Sequence, residues 1–201
     1  MKEIVKAGYN RIANEYLKIR SDKSEDILLL QEVIDRLPKG AKVLDAGCGA
    51  GVPVTKILSQ HFNVTGVDFA EAQIDLARRL VPEARFLCRD MTRLALPDQS
   101  FDAIISYYAI IHIPREEHRQ LVLNFYRMLK PSGLILLCLG ATDIERDEIE
   151  DYFGTKMYWS HFDADTNIEL IKACGFNLIS VKLVADATSP GSNHLFILAS
   201  K

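Results

Sequence analysis

No apolar stretch in this 201-residue sequence approaches the ~18 residues that a membrane-crossing helix requires, so no membrane partner is expected. Basic charge is not in excess either. The 24 Lys and Arg stand against 27 Asp and Glu, a net charge of -3, which gives no pull toward nucleic acid. Cysteine is sparse: Cys48, Cys88, Cys138 and Cys174 are far apart and form no CxxC pair. Three of them sit in apolar surroundings, so free thiols and a reducing, cytoplasmic compartment are expected. The opening residues, MKEIVKAGYNRIANEY, lack the apolar block of a signal peptide. His61 and His194 have no partner at metal-ligand spacing, so no metal site is expected. No internal repeat or low-complexity segment is visible. What remains, 48% hydrophobic and 25% charged residues, is the composition of one soluble globular domain.

Short apolar runs alternate with amphipathic helical patterns. Helices are expected over 3–20, with Ile12, Tyr16 and Ile19 on one face, and over 24–37, where Ser24 precedes an acidic first turn. The strand AKVLDAG then leads to a helix over 51–61, and NVTGVD to a helix over 70–81. ARFLCRD and FDAIISYY are the third and fourth strands, followed by a helix over 115–130 and the strand GLILLCLG. The strands are near-continuous apolar runs and not alternations, as parallel strands covered on both faces should be. The end differs. After a helix over 163–174, FNLISVKLV and NHLFILAS are joined only by ADATSPGS. That connection is too short for a helical crossover, so these two strands should be antiparallel.

VLDAGCGAGVP, residues 43–53, ends the first strand in a glycine loop that opens a helix, a geometry suited to nucleotide ligands. Gly47, Gly49 and Gly51 read G-x-G-x-G, with Val52 where the dinucleotide fingerprint wants Gly or Ala, and no G-K-[ST] follows. Asp45, two residues before the first glycine, would repel a pyrophosphate and suits an ammonium. Asp68 ends the next strand, where a carboxylate can accept from both ribose hydroxyls. Asp90 ends the third, beside Met91. Cys48 lies between two glycines near a helix start that could lower its pKa, and it reads as a small lining residue, not a catalyst.

VLDAGCGAG, VTGVDFAEAQIDLAR, FLCRDMTRLALPDQSFDAIISYYAIIHI and FYRMLKPSGLILL resemble, in order, the motifs of the class I S-adenosylmethionine-dependent methyltransferases. The likeness covers roughly 40–140, and is strongest to the small-molecule enzymes of the type 11, ubiquinone and menaquinone biosynthesis kind. It implies an α/β, Rossmann-like sheet of about seven strands, mostly parallel with an antiparallel last strand, helices on both faces. It implies one domain over 1–201: a helical lid over 1–37, a cofactor-binding core over 38–140, a substrate-side insertion over 141–162, and a C-terminal helix and β-hairpin over 163–201. The cofactor implied is S-adenosylmethionine, with S-adenosylhomocysteine as product. Asp45 and the loop of Gly47, Cys48, Gly49 and Gly51 would hold its methionine end and Asp68 its ribose. Phe69 would pack on the adenine, while Asp90 and the Met91 backbone would read its edge. Ser106 would line the same site.

Direct methyl transfer needs alignment first, and a base only for a poorly acidic nucleophile. The loop SYYAIIHIP brings Ser106, Tyr107, Tyr108 and His112 toward the cofactor, with His112 the base candidate. Tyr9 and Tyr16 share one face of the first helix, and Tyr158, Trp159 and His161 belong to an aromatic cluster over 156–163, on a connection. These residues are expected to form the acceptor pocket. Each feature also has a plain structural alternative. Asp68 could cap the next helix, Asp90 could be a turn residue before Thr92, and His112 could pack before Pro114. The tyrosines could be core residues and the aromatic cluster a hydrophobic plug. The run DIERDEIED, six acids and one arginine, is expected to be a solvated helix face or loop that disfavours anionic acceptors. SYYA replaces the [DN]-PP-[YF] tetrapeptide of amino-methyltransferases, which moves the acceptor away from adenine N6 or glutamine. His118, in REEHRQ, is expected at the surface. A small-molecule acceptor and a monomer or homodimer are expected. The alternatives are a macromolecule methyltransferase, a non-catalytic cofactor-binding protein and a nicotinamide-dependent oxidoreductase.

Overall fold

The computed structural model describes residues 1–186 and 191–201. Helices α1 (Lys2–Arg11), α2 (Ala13–Ile19), α3 (Glu25–Leu28) and α4 (Leu30–Ile34) precede the first strand. Two long helices were expected there. The first is broken at Ile12 (φ −98°, ψ 12°), which is buried, so the apolar period runs across the break without revealing it. Leu29 keeps helical dihedrals, and α3 and α4 continue one another.

Then β1 (Lys42–Ala46), α5 (Val54–Ser59), β2 (Asn63–Asp68), α6 (Glu71–Leu80), β3 (Arg85–Cys88) and β4 (Phe101–Ser106) alternate as expected. They are followed by α7 (His118–Met128), β5 (Leu129–Gly140), β6 (Ile144–Tyr152), β7 (Thr155–His161), α8 (Ala164–Ala173), β8 (Asn177–Ala185) and β9 (Asn193–Ser200). Seven strands form one sheet in the order β3-β2-β1-β4-β5-β9-β8. Strands β1 to β5 pair in parallel, and β9 runs antiparallel to both β5 and β8. The reversed strand is where the short connection required it, although residues 187–190 of that connection lie outside the described residues.

The apolar runs are explained by the two faces of the sheet. Val43, Ile105 and Leu136 pack toward α3, α4 and α5, while their neighbours Leu44, Ile104 and Leu137 pack toward α7 and α8. Residues 25–34 therefore build the core, and only α1 and α2 are left to cover the strand ends. A third cluster fixes that cover: Val5 and Ile12 pack against Met157 and Tyr158 of β7.

Two expectations over 141–162 are corrected. The acidic run is neither helix nor loop but strand β6, and the aromatic cluster is not an open connection but strand β7, its antiparallel partner. Residues depleted in strands are held there by pairing and by ion pairs, Lys156 with Glu148 and Glu150 among them. His118 is corrected as well. It is buried, its Nε2–H donates to the Ile113 carbonyl at 3.0 Å, and desolvation lowers its pKa to about 4.

Candidate functional site

A cavity opens at the C-terminal ends of β1 to β4, beneath α1 and α2, with about 980 Å³ of space, mouth included. This is the side on which open α/β sheets bind ligands. Asp45, at the end of β1, is buried and lines it. The Thr55 hydroxyl donates to Asp45 Oδ2 at 2.5 Å, and desolvation pushes the carboxyl up to about 7. A buried carboxyl in this state gains from a ligand cation.

The glycine loop does not present the amide donors expected of a nucleotide site. The N–H groups of Gly47 and Cys48 donate to the Val67 carbonyl of β2, Gly49 N–H to Asp68 Oδ2 at 3.0 Å, and Gly51 N–H to the Cys48 carbonyl. With the amides of Gly47, Cys48, Gly49 and Gly51 taken, the loop offers little to a phosphate, and the Asp45 carboxyl beside it suits an ammonium. Gly47 (φ +81°) needs its missing side chain, because a Cβ there would stand 2.2 Å from the Ala109 Cβ. Gly51 (φ +77°) faces away from the cavity, where a Cβ would press on Val81, Phe86 and Ala77.

Asp68, Phe69, Asp90, Met91 and Cys48 line the cavity. Asp68 also accepts from Ala70 N–H, and desolvation pushes it up to about 6. Asp90 accepts from the Thr92 N–H and hydroxyl, while Lys2 reaches it from α1 at 3.4 Å, so its carboxylate also does the work of a turn cap. The expectation of a lowered Cys48 pKa is overturned. Helix α5 starts only at Val54, and burial pushes the thiol well up, with Asp45 and Asp68 adding to it. Ser106 is behind the wall, donating to the Ala46 carbonyl at 2.7 Å.

Across the cavity, Tyr9, Tyr16, Tyr107, Tyr108 and His112 line the side under α1 and α2. His112 sits in the 3-10 turn Ile110–His112, its Nδ1 2.6 Å from the Tyr158 carbonyl and its Nε2 2.9 Å from the Tyr9 hydroxyl. A carbonyl can only accept, so Nδ1 carries the proton and Nε2 accepts from Tyr9. Desolvation lowers the pKa of this imidazole to about 4, leaving it neutral. The Tyr107 hydroxyl donates to the Asp26 carbonyl, and Tyr108 (φ +54°) lies under the Arg20 guanidinium.

Strand β7 stands behind this wall. Tyr158, Trp159 and His161 do not line the cavity. Tyr158 is core and acts through its carbonyl, Trp159 packs its ring on His112 at 5.2 Å, and His161 packs against Gly140 with Nδ1 bonded to the Thr142 carbonyl. Three residues the sequence reading did not single out matter here: Thr55, Arg20, and Gln73, whose buried Oε1 lacks a partner among the described residues and borders Gly49. Arg20 follows Tyr16 by one helical turn, and that spacing was the available signal.

The model of a methyltransferase domain matches residues 43–133. Trans-aconitate 2-methyltransferase of Variovorax paradoxus is 36% identical over 112 residues, 53% of this chain and 42% of that one. A tRNA N(3)-methylcytidine methyltransferase of Schizosaccharomyces pombe is 29% identical over 173 residues, 73% of this chain and 55% of that one. The chain thus spans about half the length of these relatives. Among solved structures, 1,6-didemethyltoxoflavin-N1-methyltransferase of Burkholderia thailandensis, with bound S-adenosylhomocysteine, superposes with a TM-score of 0.76 at 19% identity. The match covers 100% of this chain and 88% of that one. The ordered motifs of residues 43–133 thus match a methyltransferase domain, and the sheet with its single reversed strand is the fold of solved S-adenosylmethionine-dependent methyltransferases.

Proposed function

We propose that the chain transfers the methyl group of S-adenosylmethionine directly to a small-molecule acceptor. One observation carries this reading: a single cavity joins Asp45 and Asp68 at the strand ends to the Tyr9–His112 pair under α1. Asp45 would hold the methionine ammonium, Asp68 the ribose hydroxyls, and Phe69 and Met91 the adenine. The buried Asp45 carboxyl and the partnerless Gln73 Oε1 suit such a ligand, since both lack a full set of protein partners. When bound, the cofactor supplies an activated methyl group.

The chain's own residues align the acceptor, exclude water and receive a proton. An attacking hydroxyl becomes strongly acidic as its bond to carbon forms, so a weak base suffices. Tyr9 Oη takes that proton while its own passes to His112 Nε2, and the Tyr158 carbonyl keeps the ring in place throughout. A small acceptor is favoured because the site lies beneath α1 and α2, and because the net charge of -3 gives no excess of basic residues for RNA. The names of the aconitate and toxoflavin enzymes point the same way, against that of the tRNA enzyme.

Calorimetry tests the reading. S-adenosylmethionine and S-adenosylhomocysteine should bind and NADH should not; NADH binding in their place would refute it. A product-release assay over small acceptors, with tRNA as a competitor class, then identifies the acceptor.

A further inference from the structure

Strand β8 ends the sheet, paired with β9 on one side and, among the described residues, with no strand on the other. Alternate N–H and C=O groups of such an edge point outward, a template for another strand. Of the eight large apolar side chains exposed among the described residues, three stand on this strand: Ile179, Val181 and Leu183, at 40%, 41% and 61%. A fourth, Leu28, belongs to α3, which packs beside β8, and is 67% exposed. Apolar residues scattered singly are ordinary on a surface, but a row along an open strand edge is not.

The row has a definite face. Val181 stands opposite Ile197 and Leu183 opposite Leu195, and both of these neighbours are buried with α7 and α8. The apolar face of the sheet therefore runs out to β8 without its cover. Ile179 is the added residue of a bulge between Leu178 and Ser180. Edges are commonly guarded against pairing by an unmatched lysine. Here the guard is neutralised within the chain: Lys182 Nζ donates to Glu32 Oε1 at 2.7 Å and Ser180 Oγ to Glu32 Oε2 at 3.2 Å. The lysine holds the Glu32 carboxyl below its usual range.

We propose that this edge is a homodimer interface, in which β8 pairs antiparallel with β8 of a second copy about a two-fold axis at Val181. A two-fold interface must be complementary to itself, and this strand meets that demand. The register sets Val181 against Val181 of the second copy and Leu183 beside Ile179 of the second copy, apolar on apolar. It also sets Lys182 against Ser180 of the second copy, whose hydroxyl is bonded to Glu32, so each carboxylate gains a second ammonium. An axis one residue later would oppose Lys182 to itself, which like charges disfavour. Paired strands run in opposite directions, so the two cavities open on opposite edges of the merged sheet, each under its own α1 and α2. The proposal does not depend on the methyltransferase reading.

Sedimentation equilibrium of the full chain over a range of concentrations tests this. Wild type should approach the mass of two chains as concentration rises. Val181→Lys and Val181→Asp each set like charges directly across the axis, and each should weaken the dimer at least tenfold. Val181 is exposed, so both variants should keep the circular dichroism of wild type. Mixed in equal amounts, they oppose a lysine to an aspartate, and a dimer of one chain of each should form, tighter than either variant with itself. Should either variant fail to fold, Leu183→Ser, at the most exposed position of the row, should weaken the dimer at least tenfold by loss of apolar contact. Wild type that stays a single chain at every concentration overturns the proposal. So does a dimer indifferent to these substitutions, or a mixture that associates no better than the variants alone.

Discussion

Substituting Gly47 by alanine tests the coupling between the glycine loop and the turn that carries His112. The added Cβ would stand 2.2 Å from the Ala109 Cβ, roughly 1–2 Å inside ordinary methyl contact. The left-handed backbone at φ +81° adds a cost of about 1–2 kcal/mol that is independent of Ala109. Overlap in a packed site costs about 1–3 kcal/mol more. Ala109 precedes the turn Ile110–His112, so relief of the overlap must move that turn and lengthen the Tyr9–His112 bond.

Ala109→Gly removes the facing methyl and separates the two costs. Urea unfolding of wild type, both single variants and the double variant, read by the fluorescence of the single tryptophan, Trp159, gives the coupling energy. We expect about 1–3 kcal/mol of rescue in the double variant, leaving only the backbone cost. Turnover should fall in Gly47→Ala and recover in the double variant. Stability effects that add to within about 0.5 kcal/mol would show that loop and turn do not touch in this way.

Four further outcomes follow from the same geometry. Asp45 (about 7) and Asp68 (about 6) are both raised by burial, so their contribution to folding stability diminishes as pH rises from about 4 through 7. A ligand ammonium needs Asp45 ionised, so affinity for S-adenosylhomocysteine should climb between pH 5 and 8, by up to about tenfold per unit below the carboxyl's pKa; a flat profile would remove Asp45 from that role. Thr55→Val deletes the hydroxyl that donates to Asp45, so unfolding should be easier by about 1.5–3 kcal/mol and the midpoint of the binding profile should move up in pH. Tyr9→Phe and His112→Gln should each lower kcat by about 10²–10⁴-fold for a hydroxyl acceptor while leaving S-adenosylhomocysteine affinity within about twofold; equal losses of affinity would make the pair a binding element only.

The succession of strands and helices in the β-α half, the reversed last strand, and the placing of Asp45, Asp68 and Asp90 at strand ends were determined by the sequence, whereas the order of the strands across the sheet was not. Continuous apolar runs of strand length between helical patterns permit few other arrangements, and an eight-residue connection forbids a crossover. Contacts between distant segments were decided only by tertiary structure. Strand β6 has the composition of a solvated helix and becomes a strand because β7 pairs with it. Tyr158 matters through its carbonyl, which side-chain identity cannot show, and Arg20 meets Asp26 and Tyr108, partners that only packing brings to it. The glycine loop shows the division most clearly. Its spacing marked it as a ligand site, but whether it favours an anion or a cation depends on where its amide hydrogens go, and β2, folded beside it, accepts two of them at Val67.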